Sequence, residues 1–368
     1  MRSIKTHLVI FSFCMLVIIS CGGDDKSTDL NDSFDRSAML QDWSDLMIIP
    51  AYESYLDKLT ELRDRKNDFY NGGSIDDLVA MRSAYLSAYR EWHKVSIFEI
   101  GKAEELALRN YSNIFPTNVE EIIANIDSPD YNLELPSNYD AQGFPAIDYL
   151  FYGLEIDDAA LVTRLQQENY KTYVSDLVDR LYDLTSQVLL DWQNGYRESF
   201  IENDGSSATA SVDKLVNDFL FYYEKFLRAG KIGIPAGIFS GSPIATSAEA
   251  PYSDVYSKAF FLLGFDAVDD FFNGVGHDGR EGISLKQYLE HIAIDNQSQN
   301  LAPLINAQLQ SARLQASDLN PSLQKQVIDD NNKMLLTYDE LQKVVVLFKV
   351  DMLQALNIQV DFVDADGD

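Results

Sequence analysis

The spacing of apolar residues is the feature of this 368-residue chain that most restricts its fold. Along one stretch, apolar positions alternate between steps of three and four residues: Leu78, Met81, Tyr85, Ala88, Trp92 and Val95. This spacing places one apolar stripe along a helix and is typical of helices in bundles. Similar spacing recurs along most of the chain, and no alternating apolar–polar run has a convincing strand length. The sequence therefore predicts an all-α fold.

Start and stop signals divide this pattern into separate helices. Ser74 followed by Asp77 is typical of a capping box, and Gly101 is the predicted end of that helix. The other predicted helices cover about 34–70, 103–126, 158–202, 212–228, 254–273, 285–294, 302–314 and 321–356. Two long loops, 128–144 and the Gly- and Pro-rich 230–252, interrupt them. Such loops are often functional, although a simple crossover between halves of a bundle is equally open.

Two eleven-residue segments, 143–153 and 264–274, repeat one pattern, with identical residues at six positions. A second pair, 74–79 and 211–216, occurs in the same order. Repeats in the same order indicate an internal duplication, with chance similarity among helix starts as the alternative. Each longer copy holds an Asp among apolar neighbours, which is either a buried structural acid or part of a site.

The duplication predicts two related helical-bundle domains. The expected organisation is a signal peptide at 1–20, a flexible tether at 21–35, and bundles at 36–203 and 204–368. Asp148 and Asp269 are then expected at equivalent positions of the two bundles.

The first twenty residues have the features of a targeting segment. Arg2 and Lys5 precede the apolar run 8–19, which is too short for a comfortable membrane span, and the small residue Ser20 stands directly before Cys21. This arrangement resembles a bacterial lipoprotein signal, which implies that Cys21 carries lipid; an ordinary secretory signal is the alternative. The expected location is the bacterial cell envelope, with the chain anchored to the outer membrane on its periplasmic or surface side.

Charge and cysteine content exclude several functions. The formal net charge is −29, and loss of Arg2 and Lys5 with the signal takes it to −31. An acidic surface without a basic stripe repels phosphate backbones, so nucleic-acid binding is not expected. Cys14 also leaves with the signal, so a chain lipidated at Cys21 has no thiol for a disulfide, a metal ligand or a nucleophile.

Two carboxylates are the main candidates for chemistry. Glu99 follows Val95 by four residues on the apolar stripe, and Asp148 shares a helix face with Phe144 and Phe151. A buried carboxylate needs a cation, a metal or backbone donors. Glu99 and Asp148 are therefore predicted to form part of a cation site or a pair with raised pKa values. The alternative is that both are hydrogen-bonded structural acids.

The predicted ligand pocket lies between the two halves of the chain. Its residues, in chain order, are Trp92, His93, Glu99, Gly143, Asp148, Gly237, Ser240 and Ser242. The glycine-rich loop is included because glycine lets the backbone approach a ligand closely. His93, Glu99 and Asp148 are the predicted metal ligands. The tail 364–368 looks like the start of a calcium loop but stops before the later ligands.

Several ordered motifs together resemble the imelysin-like proteins. They are the lipoprotein start, the aromatic helix of 92–101, the turn at 114–117, the segment 143–153 and the Gly/Pro loop. The resemblance implies an all-α fold of two related bundles in envelope proteins linked to iron uptake. Some members are classed as metallopeptidases with a G-x-H-x-x-E signature. Here Gly143 keeps the glycine, whereas Pro145 stands in place of His and Asp148 in place of Glu.

The departure at Pro145 favours binding over catalysis, because the side chain of proline cannot hold a metal. The first function expected is a non-catalytic binding lipoprotein that captures iron, another divalent metal or haem between its halves. The alternatives are a metallopeptidase that uses His93, Glu99 and Asp148, or a structural envelope protein that docks a partner. The expected partners are the membrane through Cys21, a small-molecule or metal ligand, and an envelope receptor.

Overall fold

The computed structural model describes residues 33–128 and 130–362, and these residues are all-α as predicted. The predicted signal peptide, Cys21 and the tail 364–368 lie outside the described residues. Within the described ranges there is no β-strand, and an isolated antiparallel bridge joins Val275 and Glu281. None of the helices in these ranges is both long enough and apolar enough to span a membrane.

The described residues form helices α1 to α17 in chain order. The first ten are α1 (Arg36–Asp42), α2 (Ile49–Gly72), α3 (Ile75–Val95), α4 (Lys102–Glu105), α5 (Leu108–Ser112), α6 (Val119–Asp127), α7 (Gly143–Asp148), α8 (Asp158–Leu165), α9 (Glu168–Asp191) and α10 (Arg197–Glu202). The others are α11 (Ser211–Phe221), α12 (Ile234–Ala236), α13 (Ser257–Asn273), α14 (Leu285–Asp295), α15 (Ala302–Ser317), α16 (Leu323–Val345) and α17 (Leu353–Leu356). Wider π-helical turns continue several of them, at Trp43–Ile48, Tyr149–Gly153, Trp192–Tyr196, Tyr222–Gly233 and Val346–Met352, and 3₁₀ turns occupy Pro136–Ala141 and Ala245–Ser247.

The start of α3 agrees with the sequence, but its end does not. The Ser74 hydroxyl accepts a hydrogen bond from the backbone N–H of Asp77, and the Asp77 carboxylate accepts one from the N–H of Ser74, which confirms the capping box. The helix ends at Val95 rather than at Gly101. The helix predicted over 103–126 is instead three short helices, because Ala107 adopts a left-handed conformation and residues 113–118 are not helical.

Two groups of helices build most of the interior. Helix α2 packs against α3 and α9, while α16 packs against α15 and the π-helical stretch 222–233. Helix α13 packs against α3 of the first group, against α15 of the second, and against α14. Their buried apolar residues form one contiguous core that contains all three tryptophans, Trp43, Trp92 and Trp192.

The two copies of the eleven-residue pattern have different surroundings. Gly143 begins α7 with a φ of +71°, whereas Gly264 lies inside α13. The side chain of Asp148 is fully buried, whereas Asp269 is partly exposed. The internal duplication therefore stays a prediction.

Candidate functional site

His93 is a buried polar side chain without a hydrogen bond. It lies near the end of α3, is 1% exposed, and neither ring nitrogen has a partner among the described residues. Its ring stacks on Tyr89 with centroids 5.0 Å apart. Burial, and then the charge of Lys231, lowers the pKa of His93 well below its usual value. The ring is therefore neutral near pH 7 and has a lone pair available to a proton or a metal ion.

A buried ion pair lies beside this ring. Lys231, from the π-helical stretch 222–233, donates a hydrogen bond to Glu249 Oε2, and both residues are almost fully buried. His93 Nε2 lies 3.7 Å from Glu249 Oε1, which is too far for a hydrogen bond. Burial lowers the pKa of Lys231, and the charge of Glu249 opposes that shift. Lys231 therefore gives up its proton more readily than an exposed lysine.

Glu249 also accepts hydrogen bonds from two neutral groups. Its Oε1 accepts from the Tyr89 hydroxyl at 3.0 Å and from Asn113 Nδ2 at 2.8 Å. The Tyr89 hydroxyl also lies 2.7 Å from Asn113 Oδ1. One carboxylate from the Gly/Pro loop thus joins α3, the segment after α5 and the stretch 222–233. We call His93, Tyr89, Asn113, Lys231 and Glu249 the buried polar cluster.

A small cavity of about 20 Å³ adjoins the buried polar cluster. It is lined by Trp92, His93, Ser96, Arg109, Asn113, Phe115, Tyr222, Phe226 and Lys231. A water molecule needs on the order of 10–15 Å³. The cavity therefore has room for one water molecule or one ion.

Asp148 is buried, and its carboxylate already accepts hydrogen bonds from the protein backbone. It accepts hydrogen bonds from the backbone N–H groups of Tyr252 at 3.0 Å and Ser253 at 3.2 Å. The hydroxyl of Tyr85 lies 3.5 Å away. Burial raises the pKa of Asp148 to about 6, and these hydrogen bonds oppose the shift. The contacts match the interpretation of Asp148 as a structural acid, which ties α7 to the end of the Gly/Pro loop.

Glu99 belongs to a different network. Because α3 ends at Val95, Glu99 lies in the turn after the helix and not on its stripe. Its Oε1 accepts a hydrogen bond from the backbone N–H of Arg109 at 2.6 Å, and the Arg109 guanidinium is paired with Asp218. Burial raises the pKa of Glu99 to about 7, with Arg109 opposing. The structure therefore gives Glu99 and Asp148 separate partners rather than one shared site.

The predicted loop residues lie away from the small cavity. Ser240 and Ser242 are exposed, and the Ser240 hydroxyl donates to the carbonyl of Ser242 at 2.7 Å. Gly237 is buried with a φ of +85°, and a Cβ there would lie 2.4 Å from Ser242. The Gly/Pro loop instead contributes Glu249, whose side chain is fully buried.

Sequence reasoning missed four members of the cluster: Tyr89, Asn113, Lys231 and Glu249. One available signal was the step of four from Tyr85 through Tyr89 to His93, which places three polar-tipped rings on one face of α3. Glu249 gave no such signal, because it lies in an irregular loop without periodicity. Among the described residues, no group of three or more His, Cys, Asp or Glu side chains is placed to hold a metal ion.

Comparison with known families decides the family of this chain. The sequence profile of imelysin, peptidase family M75, matches residues 48–347. The chain belongs to the imelysin family. The resemblance drawn from the sequence motifs is thereby confirmed. In this imelysin-family member, Pro145, which the resemblance aligned with the signature His, is buried in α7.

Solved structures share the imelysin fold. One, from Parabacteroides distasonis and described as an iron-regulated protein A precursor, has a TM-score of 0.69 at 17% identity, covering 86% of this chain and 95% of that one. Another, an imelysin-like protein from Psychrobacter arcticum, has a TM-score of 0.66 at 17% identity, covering 89% and 97%. No curated protein matches the chain. At this level of identity the structures establish the fold alone.

Proposed function

We propose that this chain is a non-catalytic imelysin-family lipoprotein that binds a single iron ion in the bacterial cell envelope. The observation that carries the proposal is His93, a buried neutral imidazole with two unpartnered nitrogens beside the Glu249 carboxylate. Imidazole nitrogen suits iron and related metals, and carboxylate and phenol oxygens complete common ligand sets. His93, Glu249 and Tyr89 would hold the ion, with the Asn113 amide oxygen nearby.

The volume of the small cavity limits which ligands can fit. His93 and Asn113 line this cavity of about 20 Å³, whereas Glu249 and Tyr89 lie outside its lining, and a porphyrin ring is far larger than the cavity. The proposal is therefore free iron, or a similar divalent metal, rather than haem. The solved relative described as iron-regulated supports iron among these metals.

Binding without peptide hydrolysis is supported by the residues at the family signature. Pro145 has no side-chain donor for a metal. Asp148 accepts hydrogen bonds from the backbone N–H groups of Tyr252 and Ser253, and it does not line the small cavity beside His93.

The test is metal binding by the mature chain without its lipidated residue Cys21. Elemental analysis of the protein as isolated, and anaerobic titration with Fe(II), should both give one ion per chain. Metal-dependent, chelator-sensitive cleavage of a protein substrate would instead support the peptidase alternative.

Variants locate the site. His93→Gln with Glu249→Gln should weaken binding by more than roughly 100-fold, beyond the usual effect of losing an outer-shell partner. His291→Gln is the matched control, because His291 is partly exposed and contacts Ser33 and Asp295 instead. Unchanged binding in the double variant would place the site elsewhere, for example at Glu99 and Asp148.

The envelope location rests on Cys21, and it has its own test. We propose that Cys21 carries the lipid and that the following residues tether the helical body to the outer membrane. Cys21→Ala should release the chain from membranes or leave its signal uncleaved. A processed Cys21→Ala chain that still fractionates with membranes would disprove the lipid anchor.

A further inference from the structure

A second cavity, a surface cleft, lies apart from the buried polar cluster and shares no residue with the small cavity beside it. It has a volume of about 230 Å³ and lies between the first long helix, the end of α3, α13 and the loop after α13. Its apolar walls include the buried side chains of Met47, Ala51, Phe98 and Phe271. Small-molecule sites typically combine such apolar walls with a few convergent polar groups.

One wall of the cleft carries excess negative charge. Asp266 and Asp270 lie one helical turn apart on α13. Asp266 is paired with Arg313, whereas the Asp270 carboxylate has no hydrogen-bond or ion-pair partner in the part of the chain that the structure describes. Burial and the charges of Asp266 and Asp269 raise the pKa of Asp270 to about 6. Asp270 is exposed at the rim of the cleft, where its carboxylate can pair with the cation of a bound ligand.

The lining also includes Lys94 and His277, and Lys94 lowers the pKa of Asp270, but both side chains are already engaged with another carboxylate. Lys94 Nζ donates to Glu91 Oε1 at 2.8 Å, and His277 Nε2 lies 3.9 Å from Oε2 of the same carboxylate. Burial lowers the pKa of His277, so its ring is neutral. The cleft therefore has little free positive charge for a ligand carboxylate. Charge complementarity therefore favours a cationic ligand rather than an anionic or zwitterionic one.

We propose that this cleft binds a small organic amine with an apolar body. The ammonium group pairs with Asp270, and the apolar body lies against Phe98 and Met47. The cleft is smaller than the roughly 300–1,000 Å³ of sites for drug-sized ligands, so the amine is small. This site is independent of the proposed iron site.

The test uses phenethylamine as the probe, with phenethyl alcohol as its neutral match and phenylalanine as its zwitterionic match. Calorimetric titration of the mature chain in a chelating buffer should show saturable binding of phenethylamine and much weaker binding of both matches. Absence of amine binding, or equal binding of the alcohol, would overturn the proposal.

Two variants test separately how the charge and the shape of the cleft contribute to amine binding. Asp270→Asn should weaken amine binding roughly tenfold or more, since a charge-assisted bond is lost. Ala267→Leu should abolish it by filling the cleft. Asp278→Asn is the control, because that exposed carboxylate lies next to His277 but outside the lining. His93→Gln should leave amine binding intact, which keeps the outcome separate from that of the iron site. Unchanged affinity in both Asp270→Asn and Ala267→Leu would contradict the proposal.

Discussion

Arg109 and Lys231 are two buried cations, and each is neutralised by a carboxylate distant in sequence. Arg109 pairs with Asp218, 109 residues away, and Lys231 pairs with Glu249, 18 residues away. Burying an ion costs several kcal/mol unless a partner and further hydrogen bonds compensate. The pairs therefore act as specific links between segments of the fold.

Lys231→Met should strongly destabilise the protein, because it leaves the Glu249 carboxylate buried without a cation. The expected loss is about 3–5 kcal/mol in the free energy of unfolding, measured by urea denaturation. Adding Glu249→Gln should restore much of the lost stability, because the glutamine side chain is uncharged and its amide oxygen still accepts a hydrogen bond from Tyr89. Lys286→Met, which removes an exposed pair with Glu290, should cost less than about 1 kcal/mol. A loss as small as this at Lys231 would contradict the buried-pair description.

Gly143→Ala should also destabilise the protein, because the new Cβ has no space and the backbone conformation favours glycine. Gly143 has a φ of +71°, and a Cβ there would lie 2.2 Å from the carbonyl oxygen of Ser112. Backbone strain alone costs about 1–3 kcal/mol, and the clash adds to it. Gly205→Ala has no neighbour within 4 Å of its new Cβ, and it should change stability by less than about 0.5 kcal/mol. Similar melting temperatures for the two variants would rule out this close approach.

Helix boundaries follow the sequence where local signals are strong. The capping box of Ser74 and Asp77 fixes the start of α3 at its predicted position. The repeated segment at Ser211 behaves differently, because Ser211 is the first residue of α11 and the capping position, Ala210, has no side-chain hydrogen bond. The starts of α3 and α11 are therefore similar in sequence, but only α3 has a side-chain hydrogen bond that caps the helix.

Ser74→Ala and Ser211→Ala test this difference. The first removes a hydrogen bond to an unpaired helix N–H group and should cost about 0.5–2 kcal/mol. The second removes no cap and should therefore cost clearly less than the first. Thermal unfolding of the two variants is sufficient for the comparison. Equal losses would mean that Ser211 contributes a cap in solution.

The whole molecule is acidic both at its surface and in its partly buried groups. Its formal net charge is −29. Burial raises the pKa of Glu99 to about 7 and the pKa values of Asp148, Asp213 and Asp270 to about 6. A carboxyl with a raised pKa keeps its proton to higher pH in the folded state than in the unfolded state. The free energy of unfolding therefore falls as pH rises through that interval.

The protein should accordingly be more stable at pH 6 than at pH 8, by about 1–2 kcal/mol. His93 and His277, whose pKa values are lowered, act in the opposite direction over the lower part of this interval, below about pH 7, and reduce the difference. Urea unfolding at the two pH values measures the difference. Glu99→Gln should lower the stability at pH 6 relative to pH 8 by about 1 kcal/mol, because Glu99 titrates in the middle of this interval. Greater stability at pH 8 would contradict the expected sign.

The sequence alone determined the fold class, the cap of α3 and the family. Each depends on local information: a helical period of apolar residues, a serine three residues before an acid, and ordered motifs. The departure at Pro145 was likewise readable, because it is the identity of a single residue.

Only the tertiary structure decided the candidate site. The sequence placed Glu99 on the stripe of α3, but the helix ends four residues earlier and Glu99 turns toward Arg109. Glu249 carries no periodic signal, yet the fold buries it against His93 and Lys231. Periodicity records which side of a helix is apolar, whereas partners for buried charges are set by contacts between distant segments. Such contacts exist only once the helices have packed.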